Sequence, residues 1–205
     1  MRSIFKILMA AILMFPVLSY SQKDSTKLSP HHFNRIQLSL GLSYDMALGD
    51  GFLNDAYDLQ VGSDLTADFY LDSHWYIGSR FKMINTEVIK PEKTEGISAT
   101  SIFSFGLQGG YAFKFNDRLY LDLIGGIGPT TYNHDSKFGT KFRDSATTLW
   151  VGPKMSYRIN NFFGIYGGLE FRNDFMNTSV PAELENYYGD ASIFSLSAGM
   201  RFITH

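Results

Sequence analysis

The side chains of this 205-residue chain that could hold or pair charge fall into two groups. Arg35, Asp45, Asp64, Asp68, Arg80, Lys82, Asp122, Lys154, Arg158, Glu170, Arg172 and Arg201 carry both signs in near balance. Brought together out of water they could neutralise one another, which buried charge requires. A second group, Asp174, Glu183, Glu185 and Asp190, lies among Phe175, Met176, Tyr187 and Tyr188 with no basic residue. An exposed segment of that kind could dock a protein partner or a cation. Other chemistry is harder to find. Cysteine is absent, which removes disulfides, thiolate metal sites and Cys nucleophiles. No G-x-S-x-G, H-E-x-x-H, Walker A or EF-hand pattern occurs. The histidines, at 31, 32, 74, 134 and 205, form no ligand set on one strand, so neither metal nor cofactor is expected. A net charge of −2 with scattered basic residues excludes nucleic acid as a partner.

The elements that must position these residues begin after an export signal. Arg2 and Lys6 precede an apolar stretch from Ile7 to Leu18, and Ser19-Tyr20-Ser21 offers small residues for cleavage before Gln22. Residues 1–21 are thus read as a cleaved signal peptide, residues 22–32 as a polar lead-in, and residues 33–205 as one folded domain. By mean hydropathy, −0.09, the chain sits near an ordinary soluble average.

From Arg35 onward the sequence alternates with a period of two, the signature of strands with two different faces. Ile36, Leu38, Leu40, Leu42, Tyr44 and Met46 take one side of the first run, with Gln37, Ser39, Gly41, Ser43 and Asp45 on the other. The second run, about 59–71, sets Leu59, Val61, Leu65, Ala67, Phe69 and Leu71 against Gln60, Gly62, Asp64, Thr66, Asp68 and Tyr70. Six further runs centre on 75–84, 99–115, 119–128, 147–159, 162–172 and 192–203. Short turns at Asp72-Ser73-His74, Asn116-Asp117-Arg118 and Asn160-Asn161 alternate with long loops at 47–58, 85–98, 129–146 and 173–191. An even number of antiparallel strands then gathers the long loops at one end.

Three features turn the apolar face outward to lipid rather than inward to a soluble core. Most runs are longer than the roughly 5–6 residues usual in soluble strands and match the ~9–11 needed to cross a bilayer. The apolar stripe carries no Asp, Glu, Lys or Arg. Its aromatic residues gather at the strand ends: Phe69, Trp75, Tyr111, Phe113, Tyr157, Phe163 and Phe202 towards the short turns, and Tyr44, Phe81, Phe103, Phe171 and Phe194 towards the long loops. Rings at two levels around an aliphatic middle suit the two lipid interfaces. The opposite face then lines a narrow lumen, where glycines leave room for Tyr70, Tyr76, Tyr120, Trp150, Tyr166 and the arginines. Arg35 and Asp45 are expected as solvated rim residues, and Pro153 as the mark of a bulge.

With its leader, eight long strands, short turns and a last strand ending Phe194, Leu196, Ala198, Met200, Phe202, the sequence resembles the small outer-membrane β-barrels of the OmpA/OmpX type. The resemblance implies an all-β, closed antiparallel eight-stranded transmembrane barrel in the outer membrane of a Gram-negative-type cell. It implies contact with outer-membrane lipids, and recognition of the last strand by the barrel-assembly machinery. Among similar barrels, a lipid A deacylase uses a His-x-Ser pair in the barrel wall. The only such pair here, His134-Asp135-Ser136, is read as part of a long loop without a third member, so no enzyme is expected. The function expected is a plugged barrel with a structural or recognition role at the cell surface, or a subunit of an outer-membrane complex. The partner-facing surface would be Phe175, Glu183, Glu185, Tyr187 and Tyr188, with Phe52 and Tyr57 of loop 47–58 similar. Loop 85–98, with Glu87, Lys90, Glu92, Lys93 and Glu95, is read as solvated. A narrow pore or a barrel binding a small apolar ligand is the alternative, and a lipid A-modifying enzyme the remotest.

Overall fold

The computed structural model describes residues 36–94, 96–177 and 182–204. The proposed signal peptide, the lead-in with His31 and His32, and Arg35, Glu95 and His205 lie outside them. Eight strands close a barrel: β1 (Ile36–Leu48), β3 (Gly62–Tyr70), β4 (Trp75–Val88), β5 (Ile97–Lys114), β6 (Leu119–Ser136), β7 (Lys141–Arg158), β8 (Phe163–Met176) and β9 (Asp190–Thr204). A three-residue strand, β2 (Tyr57–Leu59), extends β3 along β4. Every neighbouring pair is antiparallel, and β1 bonds to both β3 and β9, so the sheet has no free edge along the barrel.

The three short turns are built by one local device. Asp72 Oδ1 accepts the backbone N–H of His74 and Trp75, Asn116 Oδ1 those of Arg118 and Leu119, and Asn160 Oδ1 those of Phe162 and Phe163. A short side-chain acceptor at the first turn position replaces bonds the chain loses as it reverses.

At the other end the strands run further than alternation suggested. Segment 129–146 is not a loop: β6 continues to Ser136 and β7 starts at Lys141, leaving a turn at 137–140. Likewise β4 and β5 reach Val88 and Ile97, and β8 reaches Met176. The apolar stripe ends where a strand leaves lipid, while the hydrogen-bonded ladder continues into water.

The second run is also interrupted. Leu59 pairs with Thr86 but Ser63 with Met83, so one extra residue intervenes at Gln60-Val61. A one-residue bulge exchanges the faces of a strand. Leu59 is therefore buried inside while Leu65 is exposed outside, and the expectation of both on one stripe is corrected. Pro153 marks no bulge: Val151↔Phe171 and Lys154↔Gly168 keep one register, and the proline only interrupts the pairing between them.

Candidate functional site: the lumen and its mouth

The interior is stacked in tiers. Nearest the short turns, Arg201 pairs with Asp122 at 2.7 Å and donates to Ser156 Oγ at 2.6 Å. Tyr70 donates to Gln37 at 3.3 Å, and the Arg158 guanidinium lies 5.2 Å from the Tyr120 ring centre. Above these, Gln108 donates to Asp68 at 2.6 Å, and Lys154 Nζ sits 4.6 Å from the Tyr166 ring centre. A cation over an aromatic face is partly stabilised without a carboxylate in contact.

The middle tier joins distant strands. Arg80 from β4 reaches Asp64 on β3 at 2.9 Å and Glu170 on β8 at 2.5 Å, and it lies over Trp150 of β7. Lys82 bridges Asp45 of β1 at 2.7 Å, Glu170 at 3.4 Å and Ser195 of β9 at 2.8 Å. Above it, Arg172 grips Asp174 through two 2.7 Å bonds and donates to Ser104 and Thr130. Asp174 also accepts from Tyr132 at 2.5 Å and Thr148 at 2.7 Å. The described lumen charges balance: Arg80, Lys82, Lys154, Arg158, Arg172 and Arg201 against Asp45, Asp64, Asp68, Asp122, Glu170 and Asp174.

Rings fill the space left between the charges, and glycines make room for them. A Cβ on Gly110 would lie 2.3 Å from the Tyr76 ring, and one on Gly126 the same distance from Trp150. Spaces of about 10 and 20 Å³ remain among these side chains, the size of single waters.

From the level of Arg172 and Asp174, which pair across the ladder with Ile193 and Ala191, apolar side chains join the interior, with Thr86, Thr100 and His134 buried among them. Ile84, Ile102, Tyr132, Ala146, Ala191 and Ile193 face inward and are buried, while their neighbours Asn85, Ser101, Asn133, Ser145 and Ser192 face outward. The short helix Phe52–Ala56 closes this chamber with Phe52, Leu53 and Ala56. Tyr188 stacks on Phe52 at 5.8 Å, and Tyr187 donates to Asp55 at 3.0 Å. Lys90, at 2.5 Å, and Lys93 complete a clasp on Asp55 that joins three loops. The two ammonium groups hold the Asp55 carboxyl well below the usual carboxylate range, and partial burial with the Asp55 bond pushes the Tyr187 hydroxyl up to about 12.

Several expectations are corrected by this geometry. Asp45 is not a solvated rim residue but fully enclosed beside Lys82, and Asp174 is not a loop acid but the buried partner of Arg172. Parity already puts Asp45 on the inward face, and what it does not show is that Lys82 from β4 reaches it; Asp174 follows Arg172 at two-residue spacing on β8, which runs on to Met176. Phe52 and Tyr57 are interior, and Tyr187 and Tyr188 turn towards them, which leaves Glu183, Glu185 and the outward-facing Phe175 exposed. Lys90 and Lys93 are held by Asp55 rather than merely solvated. Of the outer-stripe aromatics, Tyr44, Phe69, Trp75 and Phe113 are exposed, and Tyr111, Tyr157, Phe163 and Phe202 half-exposed on the same outer surface.

His134 lies on β6, not in a loop, and it has two partners. Its Nδ1 is 2.8 Å from Thr100 Oγ1 and its Nε2 3.2 Å from Asp144, while Phe142 stacks on the ring at 4.7 Å. Thr100 is only 2% exposed, while Ser136, the hydroxyl of the His-x-Ser pair, ends β6, where its Oγ accepts the Phe138 N–H at 3.1 Å. Among the described residues no three His, Asp or Glu side chains are grouped to hold a metal.

Comparison with known proteins assigns the architecture. Residues 8–202 match the family model described as outer membrane protein beta-barrel domain. The chain belongs to this outer-membrane β-barrel family. No curated protein matches the sequence. Among solved structures, Neisserial surface protein A superposes with a TM-score of 0.62 at 15% identity, over 82% of this chain and 96% of that one. Ail, the attachment invasion locus protein of Yersinia pestis, gives 0.54 at 15% identity over 84% and 100%. The N-terminal β-barrel domain of Pseudomonas aeruginosa OprF gives 0.50 at 11% identity over 85% and 100%. At such identities the likeness is one of fold. As an outer-membrane barrel, the protein meets lipid along its outer wall.

Proposed function

We propose that this protein is a plugged, non-conducting outer-membrane barrel that works through its cell-surface end, in a structural or recognition role, alone or as a subunit of an outer-membrane assembly. One observation supports the reading: among the described residues the lumen is charge-balanced and packed with rings beneath an apolar cap. The outer aromatics would sit at the two lipid interfaces, and Phe175, Glu183 and Glu185 would offer a partner surface. Residues 1–21 would be removed on export, giving a mature chain that begins at Gln22, and the Phe202-ended last strand would be read during assembly. In planar bilayers the protein should show no steady conductance. The Trp150→Gly, Tyr166→Gly double variant, which empties the rings standing on glycines, should conduct together with a Phe52→Ala change in the cap. A steady current through the unaltered protein would overturn the reading in favour of a narrow pore.

A further inference from the structure

The outward stripe of β7 changes character as it climbs. From the short turn it reads Tyr157, Met155, Pro153, Val151 and Leu149, then Thr147 and Ser145, then Arg143 and Lys141. With about 3.3 Å per residue and a tilt of roughly 40°, each residue climbs about 2.5 Å, so Arg143 stands about 15 Å above Leu149. A long cationic side chain there can reach back towards the headgroup layer beside the hydrocarbon. The neighbouring stripe of β6 presents Thr131 and Asn133 at the matching level, opposite Ser145 and Arg143. Arg143 donates from Nε to Asn133 Oδ1 at 2.9 Å, a bond to a neutral amide that leaves its charge uncompensated by a carboxylate. Lys141 has Asp135 at 3.0 Å, and Lys137 follows at the turn.

The rest of the mouth differs in sign. Asp50, Asp58, Glu183, Glu185 and Asp190 are exposed at its other loops, and Lys90 and Lys93 are occupied by Asp55. The β6–β7 hairpin carries Lys137, Lys141 and Arg143 against Asp135, which pairs with Lys141, and Asp144, which faces His134, so among the described residues Lys137 and Arg143 are the cations left for an outside anion. Phe138, at the turn, is 84% exposed and is the apolar ring near the cations, whereas Phe142 lies on the opposite face of β7 and stacks on His134.

We propose that the outer face of the β6–β7 hairpin binds the phosphate-bearing headgroup of an outer-leaflet glycolipid, with Arg143 as the principal cation, Lys141 and Lys137 beside it, and Thr131, Asn133 and Ser145 meeting sugar hydroxyls. Phosphate fits because guanidinium and ammonium donors pair with it most strongly, and a lipid fits because the cations share one wall with the apolar band. The inference rests on the membrane placement argued above, which is checked separately by insertion into plain phospholipid vesicles.

The full-length protein in detergent would be offered bis-phosphorylated lipid A, or the same lipid with its phosphates removed, and the bound lipid counted by native mass spectrometry. Retention of the phosphorylated form should exceed that of the dephosphorylated form at least tenfold. The Lys137→Gln, Lys141→Gln, Arg143→Gln triple variant should erase that preference, whereas Asp50→Asn with Glu183→Gln should keep it. The single change Arg143→Gln, which leaves the turn intact, should lower retention severalfold if the triple variant folds poorly. Equal retention of both lipids, an unchanged triple variant, or complete competition by millimolar inorganic phosphate would overturn the proposal, the last by showing a free-anion site. Failure to enter plain vesicles would instead strike the membrane reading itself.

Discussion

The half of the barrel near the short turns and the half near the loops are built from the same ladder with opposite polarity. Below, Leu40, Leu65, Ile77 and Val151 face outward while Asp64, Arg80 and Glu170 face inward. Above, Ser101, Asn133 and Ser145 face outward while Ile84, Ile102 and Ile193 face inward. The solvent outside explains the reversal. In lipid the favourable burial of apolar surface is on the outside, and the lumen must be filled by groups that satisfy each other. In water the hydrophobic effect again favours an apolar interior. The protein is a membrane barrel that becomes a soluble barrel along its own axis.

The comparison can be broken most severely from the inside of the polar half. Arg172→Leu strands Asp174 without its cation, a loss of about 3–5 kcal/mol typical of a broken buried pair. Urea unfolding of vesicle-inserted protein should register it, and an unchanged midpoint would mean the lumen is wetter than its geometry. In the apolar half, Phe52→Ala should cost roughly 3 kcal/mol of cap docking. Proteolysis of residues 49–61 should accelerate while the eight-stranded barrel keeps its resistance, because the cap is an addition to a closed ladder.

On the outer wall, one substitution at two heights sharpens the contrast. Val151→Arg should destabilise by about 2–3 kcal/mol in vesicles, and Ser145→Arg on the same stripe by less than about 1. Equal costs would place both residues in one solvent and refute the boundary drawn between them.

The smallest effect concerns the clasp. Asp55 has its folded pKa depressed by Lys90 and Lys93, so its contribution to cap closure is fully present above the unfolded value near 3.9 and is lost as pH falls through the folded one. The hydrogen-exchange protection of residues 52–56, relative to the intrinsic rate at each pH, should therefore be flat from pH 8 to about 5 and fall only in stronger acid. Asp55→Asn should remove that acid dependence. A change centred near neutral pH would assign the control to another group.

Much of the lower half could be read directly from residue order. Alternation through Ile36–Met46 and the excluded charges on one stripe state a lipid-facing wall, and Asp72, Asn116 and Asn160 mark turns by chemistry confined to a few neighbouring residues. The upper half was less legible because the same rule was applied past its solvent. Polar outward residues such as Thr131 and Asn133 on β6, and Asn173 on β8, look like a loop when the apolar stripe is expected to persist, which hides the upper parts of these strands and with them the places of His134 and Asp174. The bulge at Gln60-Val61 left no mark in composition, yet it decided that Leu59 joins the interior.

Sequence by itself determined the fold class, the strand count and the face that meets lipid, since these follow from a period of two and from the cost of charge in hydrocarbon. Tertiary structure alone decided which charges meet: Arg80 with Glu170 and Lys82 with Asp45 join strands far apart in the chain. It also decided that Phe52 enters the mouth and Arg143 does not. Such pairings depend on register and closure around a ring, and no local pattern of residues encodes how a barrel's far walls align across its lumen.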